Sequence, residues 1–143
     1  MKRPALVMTV NVLQTLLGLL LAGLAAYLIA LTRSREILAE SDAADTVHGL
    51  LIGALVIGIP AVITLIGVVG LWSGRFWGWV LSLATDIGLL GLFIYSILDD
   101  RYFDAVMTVI TGGVVLAAVL LLLPAVRRSY WNKTNAQAVT VAN

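Results

Sequence analysis

The 143-residue chain is 61% hydrophobic and only 12% charged, with a mean hydropathy of +1.03; soluble domains carry about a quarter charged residues, so that class is excluded. It has no cysteine and one histidine, His48, which removes thiol–disulfide exchange, iron–sulfur clusters, thiolate metal sites and a haem held between two histidines of one chain. A net charge of +1 gives no argument for nucleic acid as a partner, and the informative quantity is how the charges divide among the loops.

Four runs reach the roughly 20 apolar residues a membrane span needs, at about 5–31, 47–72, 77–98 and 105–126. They predict an all-α, integral membrane four-helix bundle forming a single transmembrane domain over 1–128. The remaining polar stretch, 129–143, has no apolar period and is expected to be a disordered tail. The first run follows Met1-Lys2-Arg3 but exceeds the roughly 7 to 15 apolar residues of a signal-peptide core, and it is read as the first helix.

Lys2, Arg3, Arg75, Arg127, Arg128 and Lys133 fall on one side of this arrangement, against Arg33, Arg35 and Arg101 on the other. The positive-inside rule then makes the N-terminus, the central turn and the C-terminus cytoplasmic. Glu36, Glu40, Asp42, Asp45, Asp99, Asp100 and Asp104 all fall in the two outer loops, giving an acidic outer face.

In the first helix Asn11, Thr15, Gly18, Ala22 and Ala25 recur at spacings of four and three, so they share one face, with Gln14 beside it. Small residues and interhelical hydrogen bonds associate helices in lipid, so this face is expected to meet the other helices. The loop 32–46 is read as solvated, although 34–45 has the pattern of a short interfacial amphipathic helix. His48, near Asp42 and Asp45, is a poor metal signal, and it reads as an interfacial residue. The second helix places Gly49, Gly53, Pro60, Thr64 and Gly67 on one face. Pro60 lacks an amide hydrogen and favours a kink.

Between the second and third helices lies Gly70-Leu71-Trp72-Ser73-Gly74-Arg75-Phe76-Trp77-Gly78-Trp79. Gly74 and Gly78 permit a tight reversal, and Arg75 orients it. Trp72, Phe76, Trp77 and Trp79, with Tyr130 and Trp131, are expected to form an aromatic belt at the headgroup level, and Tyr95, Tyr102 and Phe103 its outer counterpart. The fourth helix carries Thr108, Thr111, Gly112, Gly113, Ala117 and Ala118, again small or weakly polar, and ends at Pro124. Asn132-Lys133-Thr134 matches a glycosylation sequon, but its expected cytoplasmic position leaves it unused.

Asp86 lies within the third apolar run. A charge at that depth costs about 2.5 to 3.5 kcal/mol on insertion scales and marks a functional candidate, so it must have a partner or hold a proton. At about 1.5 Å per residue, Asp86 and Gln14 lie roughly 12 to 14 Å from the cytoplasmic ends of their spans and Thr64 about 12 Å. With Asn11, Thr15 and Ser82 they could form one polar layer. Gly18, Ala22, Gly49, Gly53, Gly67 and Gly112 are the expected packing residues, and Trp72, Arg75, Trp77, Trp79 and Trp131 the interface anchors.

The opening Lys2-Arg3-Pro4, the central Gly70–Trp79 segment and the closing Leu123-Pro124-Ala125-Val126-Arg127-Arg128-Ser129-Tyr130-Trp131 resemble a broad group of small, uncharacterised bacterial four-helix membrane proteins. That resemblance implies a bacterial cytoplasmic membrane and supplies no activity. Small multidrug transporters resemble the chain poorly, since their essential acid is a glutamate in the first helix, where this chain has Asn11 and Gln14. The expected function is a non-enzymatic accessory or interaction subunit in the lipid bilayer, as a homo-oligomer or with other membrane-protein subunits. The alternative is a proton- or cation-coupled transporter or channel using Asp86. No nucleophile–base pair, metal-ligand set or cofactor motif is visible.

Overall fold

The computed structural model describes residues 5–34, 37, 39, 42–100 and 105–131. These form helices and no strands: α1 Ala5–Leu31, α2 Ala43–Ser73, α3 Phe76–Asp100, α4 Ala105–Leu122 and, after a break at Leu123, α5 Pro124–Trp131. The loop residues 35, 36, 38, 40 and 41, the second outer loop 101–104 with Arg101, Tyr102, Phe103 and Asp104, and 1–4 and 132–143 with the sequon lie outside the described residues.

α1, α2 and α3 are each long and apolar enough to cross a membrane; the bent pair formed by Thr108–Leu122 and Pro124–Trp131 makes a fourth span if both parts count as one. Their outward faces are lined with large apolar side chains, among them Leu16, Leu55, Val69, Ile87 and Val109, each more than half exposed. Such continuous apolar cover is what lipid contact requires and what a soluble surface avoids.

α2 runs helical without a break through Pro60 and starts four residues earlier than the apolar run suggests, because Ala43 to Thr46 continue the helix into polar sequence. It ends at Gly74, which takes the left-handed conformation (φ 72°, ψ 23°). The amides of Gly74 and Arg75 bond back to the Leu71 and Gly70 carbonyls at 3.0 and 2.9 Å, closing the last turn in the manner of a glycine C-cap. α3 begins two residues later. Its first turn lies against the last turn of α2 at Gly70 and Gly78, where a Cβ added to Gly78 would stand 2.6 Å from the Gly70 Cα. Backbones approach this closely only where neither residue has a side chain.

The fourth apolar run, about 105–126, is not one straight helix. α4 stops at Leu122 and the chain turns by 61° into α5. Pro124 explains the break: its missing amide and its ring cannot continue α4, while its fixed φ suits the first position of a new helix. The amides of Val126 and Arg127 both bond to the Leu123 carbonyl at 3.0 Å. At 18 residues α4 is about 27 Å long. The helix continues through Ser129, Tyr130 and Trp131, past the point where a disordered tail is expected to begin.

α1 packs on α2 and α4, α2 on α3, and α3 on α4, so the helices form a ring in chain order with α1 and α3 on one diagonal. The core has two apolar parts. One, at the end bearing the Gly74 turn, contains Val7, Val10, Leu71, Leu121, Val126 and Tyr130. The other contains Leu17, Leu21, Ala61, Leu89, Ile110 and Val114. Between them along α1, α2 and α3 lies a band of polar side chains.

Candidate functional site: the polar layer between the two apolar cores

Helical spacing brings this layer together. Asn11 and Gln14 fall between Val10 and Leu17 on α1, Thr64 between Ala61 and Leu71 on α2, and Ser82 and Asp86 one turn apart on α3. All five are fully buried, at 0% exposure. The Gln14 Nε2 amide donates to Asp86 Oδ2 at 2.6 Å, a bond that crosses the diagonal of the bundle and is shorter than the usual 2.7 to 3.2 Å of an N–H···O contact. No lysine or arginine among the described residues is buried, so Asp86 is held by an amide and by no counter-charge.

Close helix approach is what permits this arrangement. A Cβ on Gly67 would lie 2.7 Å from Ser82 Oγ, and one on Gly18 would lie 2.9 Å from Leu65 and 3.3 Å from the Thr64 methyl. Glycine at these two positions therefore lets α2 draw up to α3 and α1. Four oxygens of the layer, Gln14 Oε1, Thr64 Oγ1, Ser82 Oγ and Asp86 Oδ1, have no hydrogen-bond partner among the described residues. A buried polar atom left without a partner costs about 1 to 3 kcal/mol, so four in one layer are a concentrated chemical demand.

Asn11 belongs to the side of the layer nearer the turn. Its Oδ1 accepts from the Tyr130 hydroxyl at 2.8 Å, and its Nδ2 reaches toward the Leu71 carbonyl at 3.5 Å. Thr15 is half-buried and separate from Asp86: its hydroxyl donates to the Asn11 carbonyl at 2.7 Å and accepts from the Trp72 indole at 3.2 Å.

Two aromatic residues expected as headgroup anchors have interior roles. Tyr130 is 2% exposed, because the bend at Leu123 turns α5 so that Val126 and Tyr130, one turn apart, both join the core. That spacing, with Arg127 and Arg128 off the same face, was a readable sign of an amphipathic segment. Trp79 donates its indole N–H to the Leu121 carbonyl at 2.9 Å. In an unbroken helix that carbonyl would bond the amide four residues on, and the break at Leu123 frees it. Trp79 also stacks on Phe76 at 5.4 Å, which meets Trp131 edge-on at 5.1 Å. Trp72, Trp77 and Trp131 stand 42 to 49% exposed, and Arg75 is exposed.

Of the expected packing glycines, Gly18 and Gly67 are buried contacts and Gly53 touches Leu28. Ala22 is half-buried against the second apolar core. Gly49 and Gly112 are exposed and meet nothing within 4 Å among the described residues, because both face outward from their helices. Gly70, the closest backbone contact of the hairpin, was not among the expected packing positions. His48, Asp42 and Asp45 are exposed, and no group of three or more histidine, cysteine or acidic residues that could hold a metal occurs among the described residues.

Past Asp86, away from the turn, a cleft of about 210 Å³ opens between the helices and is lined by Leu21, Gly53, Ile57, Leu89, Phe93 and Ile110. Its walls are apolar, so the layer's chemistry is confined to the five buried polar residues.

The fold and site together define an all-helical protein with three to four helices able to cross a membrane and a buried polar layer centred on one carboxylate. No family model, curated protein or solved structure matches the chain.

Proposed function

We propose that the chain is a multi-pass protein of a bacterial cytoplasmic membrane, with both termini cytoplasmic, that has no enzymatic activity and works as an accessory or interaction subunit. It assembles as a homo-oligomer or within a larger membrane complex. The observation that carries this reading is the set of outward glycines: Gly23 on α1, Gly49 on α2, Gly88 and Gly91 on α3 and Gly112 on α4 are exposed and meet nothing within 4 Å among the described residues. A glycine inside a helix costs about 1 kcal/mol relative to alanine. In lipid that cost is offset where a second helix packs closely against it.

Purification from native-level expression in a mild detergent tests this reading. A defined oligomer or a stoichiometric membrane partner supports it, and recovery of the chain as a lone monomer overturns it.

A second reading, a cation- or proton-coupled carrier, is favoured by the four partnerless oxygens around Asp86. Its test is flux in proteoliposomes: a carrier loses transport on Asp86→Asn, and flux unchanged by that substitution removes the reading.

A further inference from the structure

We propose that the layer formed by Gln14, Thr64, Ser82 and Asp86 is a binding site for one dehydrated monovalent cation of the sodium class. The four partnerless atoms are all oxygens: an amide carbonyl from α1, a hydroxyl from α2, and a hydroxyl and a carboxylate oxygen from α3. Three helices thus offer hard donors to a common layer, and every donor residue is fully buried.

The existing hydrogen bond fixes how the donors are presented. Gln14 gives its N–H to Asp86 Oδ2, and an amide whose nitrogen is so engaged must turn its oxygen elsewhere. Asp86 likewise has one oxygen tied and the other unpartnered. Gln14 Oε1 and an ionised Asp86 Oδ1 can only accept, so whatever satisfies both must be a cation or bring hydrogens of its own. The two hydroxyls add donors of the same hard class. Gly67, against Ser82 Oγ, and Gly18, against the Thr64 methyl, let α2 close on α3 and α1 where these two residues stand.

Charge selects the ion. One carboxylate neutralises one positive charge, and a neutral pair is the form a low-dielectric interior tolerates. A divalent ion would leave a net charge of +1 there. Calcium also takes six to eight oxygens, and magnesium keeps several waters, more than four protein oxygens supply. The absence of any three-membered acidic or histidine group among the described residues points the same way. The inference does not depend on the subunit reading, because a cation here would fix the three helices whether or not the chain has partners.

The test is thermal unfolding of the purified full chain in detergent, at one pH and ionic strength, with sodium chloride replaced stepwise by N-methylglucamine chloride. Tm is expected to rise with sodium as binding to the folded state requires. Ser82→Ala and Thr64→Val, which each remove one oxygen, should require roughly tenfold more sodium for the same rise. Asp86→Asn should abolish it, and should that variant not fold, the two hydroxyl variants decide. A wild-type Tm indifferent to sodium overturns the proposal. So does a sodium-dependent rise that Ser82→Ala and Thr64→Val leave in place. With the titration repeated at several pH values, a Tm that follows pH identically in both salts assigns the layer to a proton and overturns it as well.

Discussion

Gln14 and Asp86 meet across the diagonal of the bundle with a single N–H as their link, and the two residues are not equivalent. Gln14→Leu removes the donor and leaves a buried carboxylate facing carbon. Asp86→Asn removes the charge and keeps an oxygen that Gln14 can bond. In denaturation from mixed micelles without sodium, Gln14→Leu should therefore cost about 1 to 3 kcal/mol. Asp86→Asn, which keeps that bond, should cost less than the roughly 0.6 kcal/mol that an interhelical hydrogen bond averages in a membrane protein. The reverse order would mean that the charge of Asp86, and not its hydrogen bond, holds the helices. Asp86 was legible as a special residue because a lone acid in an apolar run has few structural excuses. Its partner was narrowed only to polar residues of similar depth, since the rotation of α1 about its own axis decides whether Gln14 or Thr15 turns inward.

Among the elements, the α2–α3 hairpin and the α4–α5 bend show how a few residues set the geometry of whole helices. Gly78→Ala would drive a methyl into the backbone of Gly70 and Leu71, and overpacking of this kind costs about 1 to 3 kcal/mol. Gly58→Ala would place its methyl in ordinary contact with Ala25 at 3.6 Å and should be neutral or stabilising by up to about 1 kcal/mol through helix propensity. The pair can be compared by Tm in one detergent, and equal effects would refute the close approach at Gly70 and Gly78. At the bend, Trp79→Phe keeps an aromatic ring beside Phe76 but leaves the Leu121 carbonyl without its indole donor. A loss of about 1 kcal/mol is expected, with faster amide exchange at Val126 and Arg127 as α5 loosens. Exchange unchanged at those two amides would show that Pro124 alone fixes the bend. The hairpin could be read in advance because glycines flank a short polar interval. The bend could be read only in part, since Pro124 announces a stop but not a direction.

For the molecule as a whole, the proposed orientation is open to a direct check, because the chain has no cysteine to confuse labelling. A single cysteine at Arg75 should resist a membrane-impermeant maleimide added outside intact cells and react after permeabilisation, whereas one at Asp42 should react at once. The opposite pattern would invert the topology. Both positions are exposed, so protection can come only from the membrane.

What the sequence determined by itself are quantities that run along one dimension: the length of each apolar run, the division of basic and acidic residues between alternate loops, and the depth of each polar residue at a fixed rise per residue. Those set the helical, span-length character of the chain and put Asp86, Gln14 and Thr64 at one level. The tertiary structure decided what depends on rotation and approach. It chose Gln14 as the partner of Asp86, drew Tyr130 inward to Asn11, assigned Trp79 to a freed carbonyl, and separated the glycines that pack within the chain from those that face outward. Side-chain burial in a bundle depends on how each helix is turned about its axis and where it bends, and an almost uniformly apolar sequence carries little periodic signal for either.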